Sequence, residues 1–345
     1  MRKTAQPPHG PAESPAPAEA LLTWFRRGHR DLPWRGASDP YRIWVSEIML
    51  QQTRAQAVIP YYQRFLERFP AVEALASASE EEVLALWSGL GYYSRARNLR
   101  RAACQIAAEG FPRDYHALRT LPGVGAYTAA AVASIAFGEP RAVLDGNVLR
   151  VVARVEGDSS DIAAPQTRER FRAIAQGWLD PGQPGAFNQA IMELGATVCL
   201  PRNPLCLLCP LADRCQAQRQ GIVTQLPVKL KRTKPERIAG ELVLARQGDR
   251  VLLRKISAGA ARMAGFWELP APEHLPPLRA RETIGAFRHS ITHHRYTFTV
   301  TVARISRQPR LRDSQFRWFD TEELAHIPLS TTARKALRLA ASKEA

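Results

Sequence analysis

Leu121-Pro122-Gly123-Val124-Gly125-Ala126-Tyr127, an alanine-rich run to Phe137, and then Val143-Leu144-Asp145-Gly146-Asn147 form the stretch that decides the fold. Two glycines flanking Val124 allow a tight hairpin in which backbone comes close to another molecule. Arg113–Thr120 reads as a short helix and Tyr127–Phe137 as a longer one, so the unit is helix, glycine hairpin, helix. The first N–H groups of the second helix suit an anion such as a phosphate. Asp145 sits where the next helix, Asn147–Val155, begins, and a carboxylate there is held ionised by the helix N-terminus.

Outward from this unit the chain is long and basic. It has 345 residues, 45% of them hydrophobic, and a formal net charge of +16. That length suffices for more than one packed domain, and the charge favours a polyanionic partner. A membrane role is disfavoured, because no apolar run reaches spanning length. Residues 1–18 are rich in Pro and Ala and read as a disordered tail rather than a signal peptide. From residue 19 to 218 the apolar periodicity is helical throughout, with Arg42–Phe69 reading as one long helix. Residues 219–237 read as a basic linker. Beyond it, Gly240–Ala245, Arg250–Lys255, Gly265–Leu269, His294–Ile305 and Phe316–Phe319 are strand-like, with helices at Thr321–Ala325 and Thr331–Ala341.

Three features carry chemistry. Glu47 shares a helical face with Ile43, Trp44 and Leu50; an ionised carboxylate is costly there, so its pKa is expected to rise. With Asp145 it makes a pair of carboxylates in contrasting environments, the arrangement of an acid and a charge stabiliser at a glycosidic bond. Arg30, Trp34 and Arg35 are presented together by one loop. Cys199, Cys206, Cys209 and Cys215 lie in the pattern C-x6-C-x2-C-x5-C, whose spacing suits zinc or an iron–sulfur cluster equally. Cys104, alone among alanines, is expected to be a small buried core residue.

The hairpin and its aspartate resemble the helix-hairpin-helix superfamily of base-excision glycosylases. Trp44-Val45-Ser46-Glu47-Ile48-Met49-Leu50-Gln51-Gln52-Thr53 and Leu90-Gly91-Tyr92-Tyr93-Ser94-Arg95 narrow the resemblance to the MutY family of adenine DNA glycosylases over residues 19–218. The resemblance implies a multidomain α plus α+β protein: an all-α helix-hairpin-helix domain ending in a [4Fe–4S] loop at 199–215, and a Nudix-like domain at 238–345. That second domain is expected to read rather than hydrolyse, because no acidic magnesium box follows Glu268. The implied substrate is double-stranded DNA carrying adenine opposite 8-oxoguanine or guanine, and the implied protein is a monomer in the bacterial cytoplasm, at the nucleoid.

On this resemblance Glu47 protonates adenine N7, and Asp145 stabilises the sugar cation or traps it covalently, with Tyr127 and Asn147 beside it. Arg30, Trp34, Arg35 and Glu193 line the adenine pocket. Gln52, Thr53, Leu90 and Tyr92 wedge into the duplex, Gly123 and Gly125 grip its backbone, and Thr292 and His293 read 8-oxoguanine from a loop where Ile-Thr-His replaces the family's Phe-Ser-His. The alternative is an endonuclease III-type lyase. It needs an amine nucleophile, yet no lysine occurs between Lys3 and Lys229, and the lysine position of that family is Tyr127. A DNA-binding protein without catalysis is the third reading, and it gives no reason for Glu47 on an apolar face.

Overall fold

The computed structural model describes residues 16–230, 236–257, 259–260, 263–275, 282–291, 294–304 and 315–344. Most of the expected tail, residues 231–235 of the linker, and Thr292 and His293 lie outside the described residues.

In chain order the helices are α1 (Pro17–Arg27), α2 (Pro40–Leu50), α3 (Ala55–Arg68), α4 (Val72–Ser77), α5 (Glu80–Trp87), α6 (Ser94–Glu109), α7 (Tyr115–Leu118), α8 (Ala126–Phe137), α9 (Gly146–Glu156), α10 (Pro165–Trp178), α11 (Pro184–Thr197), α12 (Gln216–Arg219) and α13 (Thr331–Glu344). The strands are β1 (Glu236–Gln247), β2 (Arg250–Lys255), β3 (Trp267–Glu268), β4 (Glu282–Ile291), β5 (His294–Arg304) and β6 (Phe316–Phe319). No described helix is long and apolar enough to cross a membrane.

Compactness divides the chain into residues 1–47 with 112–231, and residues 48–111 with 232–345. This cut runs through α2 and differs from the sequential division that composition suggests. The first unit packs α1, α9, α10 and α11 around Leu22, Phe25, Val148, Val152, Phe171, Phe187 and Ile191. Alanines at 129–131 and 133 of α8 are all buried, so this helix presents little side-chain bulk to its neighbours. Its C-terminus is closed by Gly138 in the left-handed conformation.

In the second unit the sheet runs β3-β2-β1-β5-β4, with β6 also on β2. The β1–β5 pair at its centre is parallel. Helix α13 lays Ala333, Ala336 and Ala340 against Leu242, Leu244, Trp267 and Val300. Segment α3–α6 belongs to this unit because side chains tie it there. Ser88 Oγ donates to the Leu329 carbonyl at 2.6 Å, and Tyr93 stacks on Phe266 with ring centroids 4.1 Å apart. Side-chain packing, which composition does not record, therefore sets the unit boundary.

Three expectations are corrected. The single helix Arg42–Phe69 is two, broken at Gln51–Arg54, where Gln52 adopts φ +57°. Apolar periodicity continues across the break; tertiary contacts to the last carbonyls of α2, described below, override it. The strand-like segments of the sequence omit edge strand β4, which includes Phe287 and His289. Its alternation is interrupted at Gly285, where the register shifts against β5. Cys104 is exposed rather than buried. The apolar face of α6 falls on Ala96, Leu99, Ala102, Ala103 and Ile106, and Cys104 lies one step off it.

Candidate active site

Asp114 caps the short helix α7 through the N–H groups of His116 and Ala117. The hairpin follows, closed by the Val124 N–H donating to the Leu121 carbonyl at 3.1 Å. Gly123 has φ +78°, a conformation that a side chain disfavours. Gly125 differs: it takes an ordinary extended conformation at the start of α8, and a Cβ there would meet nothing within 4 Å. The fold itself therefore requires glycine at 123, whereas the open surface at 125 leaves space for an outside group. No side chain caps the first turn of α8.

Helices α2, α8 and α11 bring Glu47, Tyr127 and Met192 together. The Tyr127 hydroxyl donates to Glu47 Oε2 at 2.7 Å and lies 3.1 Å from Met192 Sδ. Glu47 is only 5% exposed. Burial pushes its carboxyl up to about 7, the hydrogen bond from Tyr127 pulls it back, and the charge of Asp145 adds to the rise. Tyr127 is itself pushed well above the ordinary phenol range, by burial first and then by the two carboxylates. It is thus a fixed hydrogen-bond donor at neutral pH. The charge of Asp145 also acts on Tyr127, while the phenol's hydrogen bond runs to Glu47.

Asp145 is the N-cap of α9. One oxygen accepts from the N–H groups of Asn147 (2.9 Å) and Val148 (2.7 Å), and the other accepts from Asn147 Nδ2 at 3.0 Å. The helix N-terminus acts on it as the sequence predicts, yet burial is larger and moves the pKa above the ordinary carboxylate value. Arg150, buried on the same helix, donates to Asn147 Oδ1, to the Gly195 carbonyl and to the Cys199 carbonyl, each within 2.8 Å. A Cβ at Gly195 would stand 2.5 Å from the Cβ of Asn147, so only glycine lets α11 approach the start of α9 this closely. The buried Asn188 fixes the preceding segment, accepting from the Val143 N–H and donating to the Arg141 carbonyl and Ser134 Oγ. Sequence reading missed Arg150 and Asn188. Their signal is a polar residue on an otherwise apolar face, the same signal that singled out Glu47.

Beside this pair, Arg30 grips Glu193 through Nε (2.8 Å), Nη2 (2.7 Å) and its own backbone N–H (3.1 Å). Arg35 ion-pairs with the same carboxylate. Burial of Glu193 alone favours the neutral acid, but the hydrogen bonds from both arginines outweigh it and hold the pKa at about 2. Glu193 follows Met192 on α11, so one helix carries both a neighbour of the Tyr127 hydroxyl and the carboxylate of this ion cluster. Trp34 stands half-buried on the turn between the two arginines. Gln52, Thr53, Leu90 and Tyr92 belong to the other compact unit, where Tyr92 is 45% exposed and Leu90 is buried.

The four cysteines of the 199–215 loop line one cavity with Val151, Arg154 and Leu194. None is in a disulfide. Burial raises the Cys209 thiol to about 12 and also raises Cys215, a cost that bound iron reverses by stabilising thiolates. Arg154, 1% exposed, supplies positive charge at 3.3 Å from Cys199 Sγ and anchors the loop through the Leu200 and Pro201 carbonyls. Four reduced thiols around one space, with a buried cation beside them, fit an anionic thiolate-ligated cluster. Purified protein is expected to be yellow-brown, with iron and acid-labile sulfide each near four per chain as that cluster requires. Stoichiometric zinc after anaerobic, iron-replete expression contradicts it.

Known proteins agree with this geometry. Residues 45–177 match the family model of the HhH-GPD superfamily base excision DNA repair proteins, and residues 199–215 match the iron–sulfur binding domain of endonuclease III. The chain is 34% identical to the adenine DNA glycosylase of Mus musculus, over 92% of its own length and 76% of that protein. It is 46% identical to the Homo sapiens adenine DNA glycosylase over 62% of its length, spanning 42% of that longer protein. Among solved structures, a thermostable thymine-DNA glycosylase superposes with a TM-score of 0.54 at 30% identity, covering 59% of this chain and 95% of that one. The two carboxylates, the hairpin and the cysteine cavity thus coincide with matched segments, and the chain carries a [4Fe–4S] cluster and belongs to the adenine DNA glycosylase family.

Proposed function

We propose that this protein hydrolyses the N-glycosidic bond of adenine paired with 8-oxoguanine or guanine in double-stranded DNA. The observation that carries the reading is the buried Glu47, titrating near neutrality, with Asp145 close enough to raise its pKa. A base under attack has to leave the helix stack first. Glu47 then donates its proton to adenine N7, and the C1′–N9 bonding electrons depart with the base. Asp145 balances the positive charge left on the sugar, and water adds at C1′ as the resulting Glu47 carboxylate or Asp145 accepts its proton. Tyr127 holds Glu47 in place, and the Arg30–Glu193–Arg35 cluster borders the adenine pocket. The hairpin, with open space at Gly125, takes a DNA phosphate. Cys199, Cys206, Cys209 and Cys215 would hold the cluster, which would cross-link the 199–215 loop.

The C-terminal α+β module, roughly residues 238–345, is assigned to reading the partner base, with Thr292 and His293 as its reading residues. The same residues favour a monofunctional enzyme over a lyase, because Tyr127 is a hydrogen-bonded phenol where a lyase needs an amine. On A:8-oxoguanine and A:G duplexes under single-turnover conditions, base release is expected, with the abasic strand intact until alkali is added. Borohydride is expected to trap almost no protein–DNA adduct. No base release from either duplex refutes the function, and efficient trapping refutes the monofunctional mechanism.

A further inference from the structure

Arg95, at the start of α6, is 8% exposed, and among the described residues no carboxylate lies within ion-pair distance of it. Its charge is spent on backbone. Nη1 donates to the carbonyls of Ile48 (2.9 Å), Met49 (2.9 Å) and Gln51 (2.5 Å), the end of α2. Nη2 donates to the Gly91 carbonyl (3.1 Å), the Leu90 carbonyl (3.4 Å) and Thr53 Oγ1 (3.3 Å). The guanidinium also lies over the rings of Tyr92 and Trp87, 5.4 and 5.5 Å from their centroids. One planar group thus joins two turns about forty residues apart in sequence. Each turn holds a side-chain-bearing residue in the left-handed region, Gln52 at φ +57° and Tyr92 at φ +49°. Such backbone persists only where its surroundings over-determine it. A cation also suits the orphan carbonyls at a helix C-terminus.

We propose that Arg95 is a positioning residue that locks the Gln51–Thr53 and Leu90–Tyr92 turns into a single two-pronged wedge, presenting Gln52 and the exposed Tyr92 to the DNA stack. This rests on the proposed action on duplex DNA but not on catalysis. Lysine can fill the space and keep the charge, but its single ammonium cannot span both turns as the forked guanidinium does. Arg95→Lys is therefore expected to stay folded and to bind duplex, with loss of wedging.

The test uses full-length, cluster-loaded protein in a Glu47→Gln background and a duplex with 2-aminopurine beside an A:8-oxoguanine pair. Saturating protein with Arg95 is expected to raise the fluorescence as the stack opens. Arg95→Lys is expected to cut that rise by about fivefold or more while duplex affinity changes less than about threefold. Added to Tyr92→Ala, Arg95→Lys is expected to have no further effect, since residues acting as a unit are non-additive. If Arg95→Lys fails to keep the cluster's visible absorbance, Thr53→Val, which removes one of the bonds, is expected to give a smaller loss of the same kind. An unchanged fluorescence rise in a folded variant, or additive losses in the double variant, overturns the proposal. Normal wedging without base release in the Glu47 protein overturns the glycosylase reading instead.

Discussion

Glu47→Gln is expected to lower single-turnover base release by about a hundredfold to ten-thousandfold, the usual contribution of a positioned general acid. Duplex affinity should change little, because the amide keeps the shape and still accepts from the Tyr127 hydroxyl. The pH dependence fixes the role. An acid must be protonated to act, and with a pKa of about 7 the protonated fraction of Glu47 falls tenfold per pH unit above neutrality. The wild-type rate should therefore decline above pH 7, and the residual rate of Glu47→Gln should lack that limb. Tyr127→Phe removes the hydrogen bond that pulls Glu47 down, so its limb should move to higher pH. A Glu47→Gln enzyme with a near wild-type rate, or an unchanged alkaline limb in that variant, assigns the proton to another group.

How much of this is legible in the sequence depends on whether the signal is local. Glu47 on an apolar helical face, the cysteine spacing and the Gly123 turn each declare themselves within one short stretch of chain, and the structure places them in a buried acid site, a cavity and a left-handed turn. What fails to show is long-range. The break after α2 is imposed by Arg95 from forty residues away, while periodicity runs straight through it. The grip of Arg30 and Arg35 on Glu193 spans more than 150 residues, and only resemblance grouped them. Strand β4 escaped because an edge strand with a bulge at Gly285 needs no clean alternation. Tyr127 is likewise silent in the sequence about its hydrogen-bond partner. It stands on α8 near both carboxylates, and chain position does not say which one its hydroxyl meets.

Asp145 offers the sharper separation of structure from chemistry, since one side chain caps a helix and is proposed to act on the sugar. As N-cap it satisfies the N–H groups of Asn147 and Val148, and asparagine caps a helix about as well as aspartate does. Asp145→Asn should therefore melt within a few degrees of wild type, whereas Asp145→Ala should lose about 1 kcal/mol with the cap. Both remove the negative charge proposed to balance the sugar cation, and losing one preorganised electrostatic group of this kind costs about a hundredfold to a thousandfold in rate. Because burial lifts the Asp145 pKa above its ordinary value, the wild-type rate should also fall on the acid side, at a higher pH than an ordinary aspartate would give. That limb reports protonation of Asp145 and should vanish in Asp145→Asn. Thermal unfolding and single-turnover rates measured on the same preparations decide the matter. If Asp145→Asn loses stability in step with activity, the aspartate is chiefly a cap; if stability holds while the rate collapses, its charge acts on the sugar.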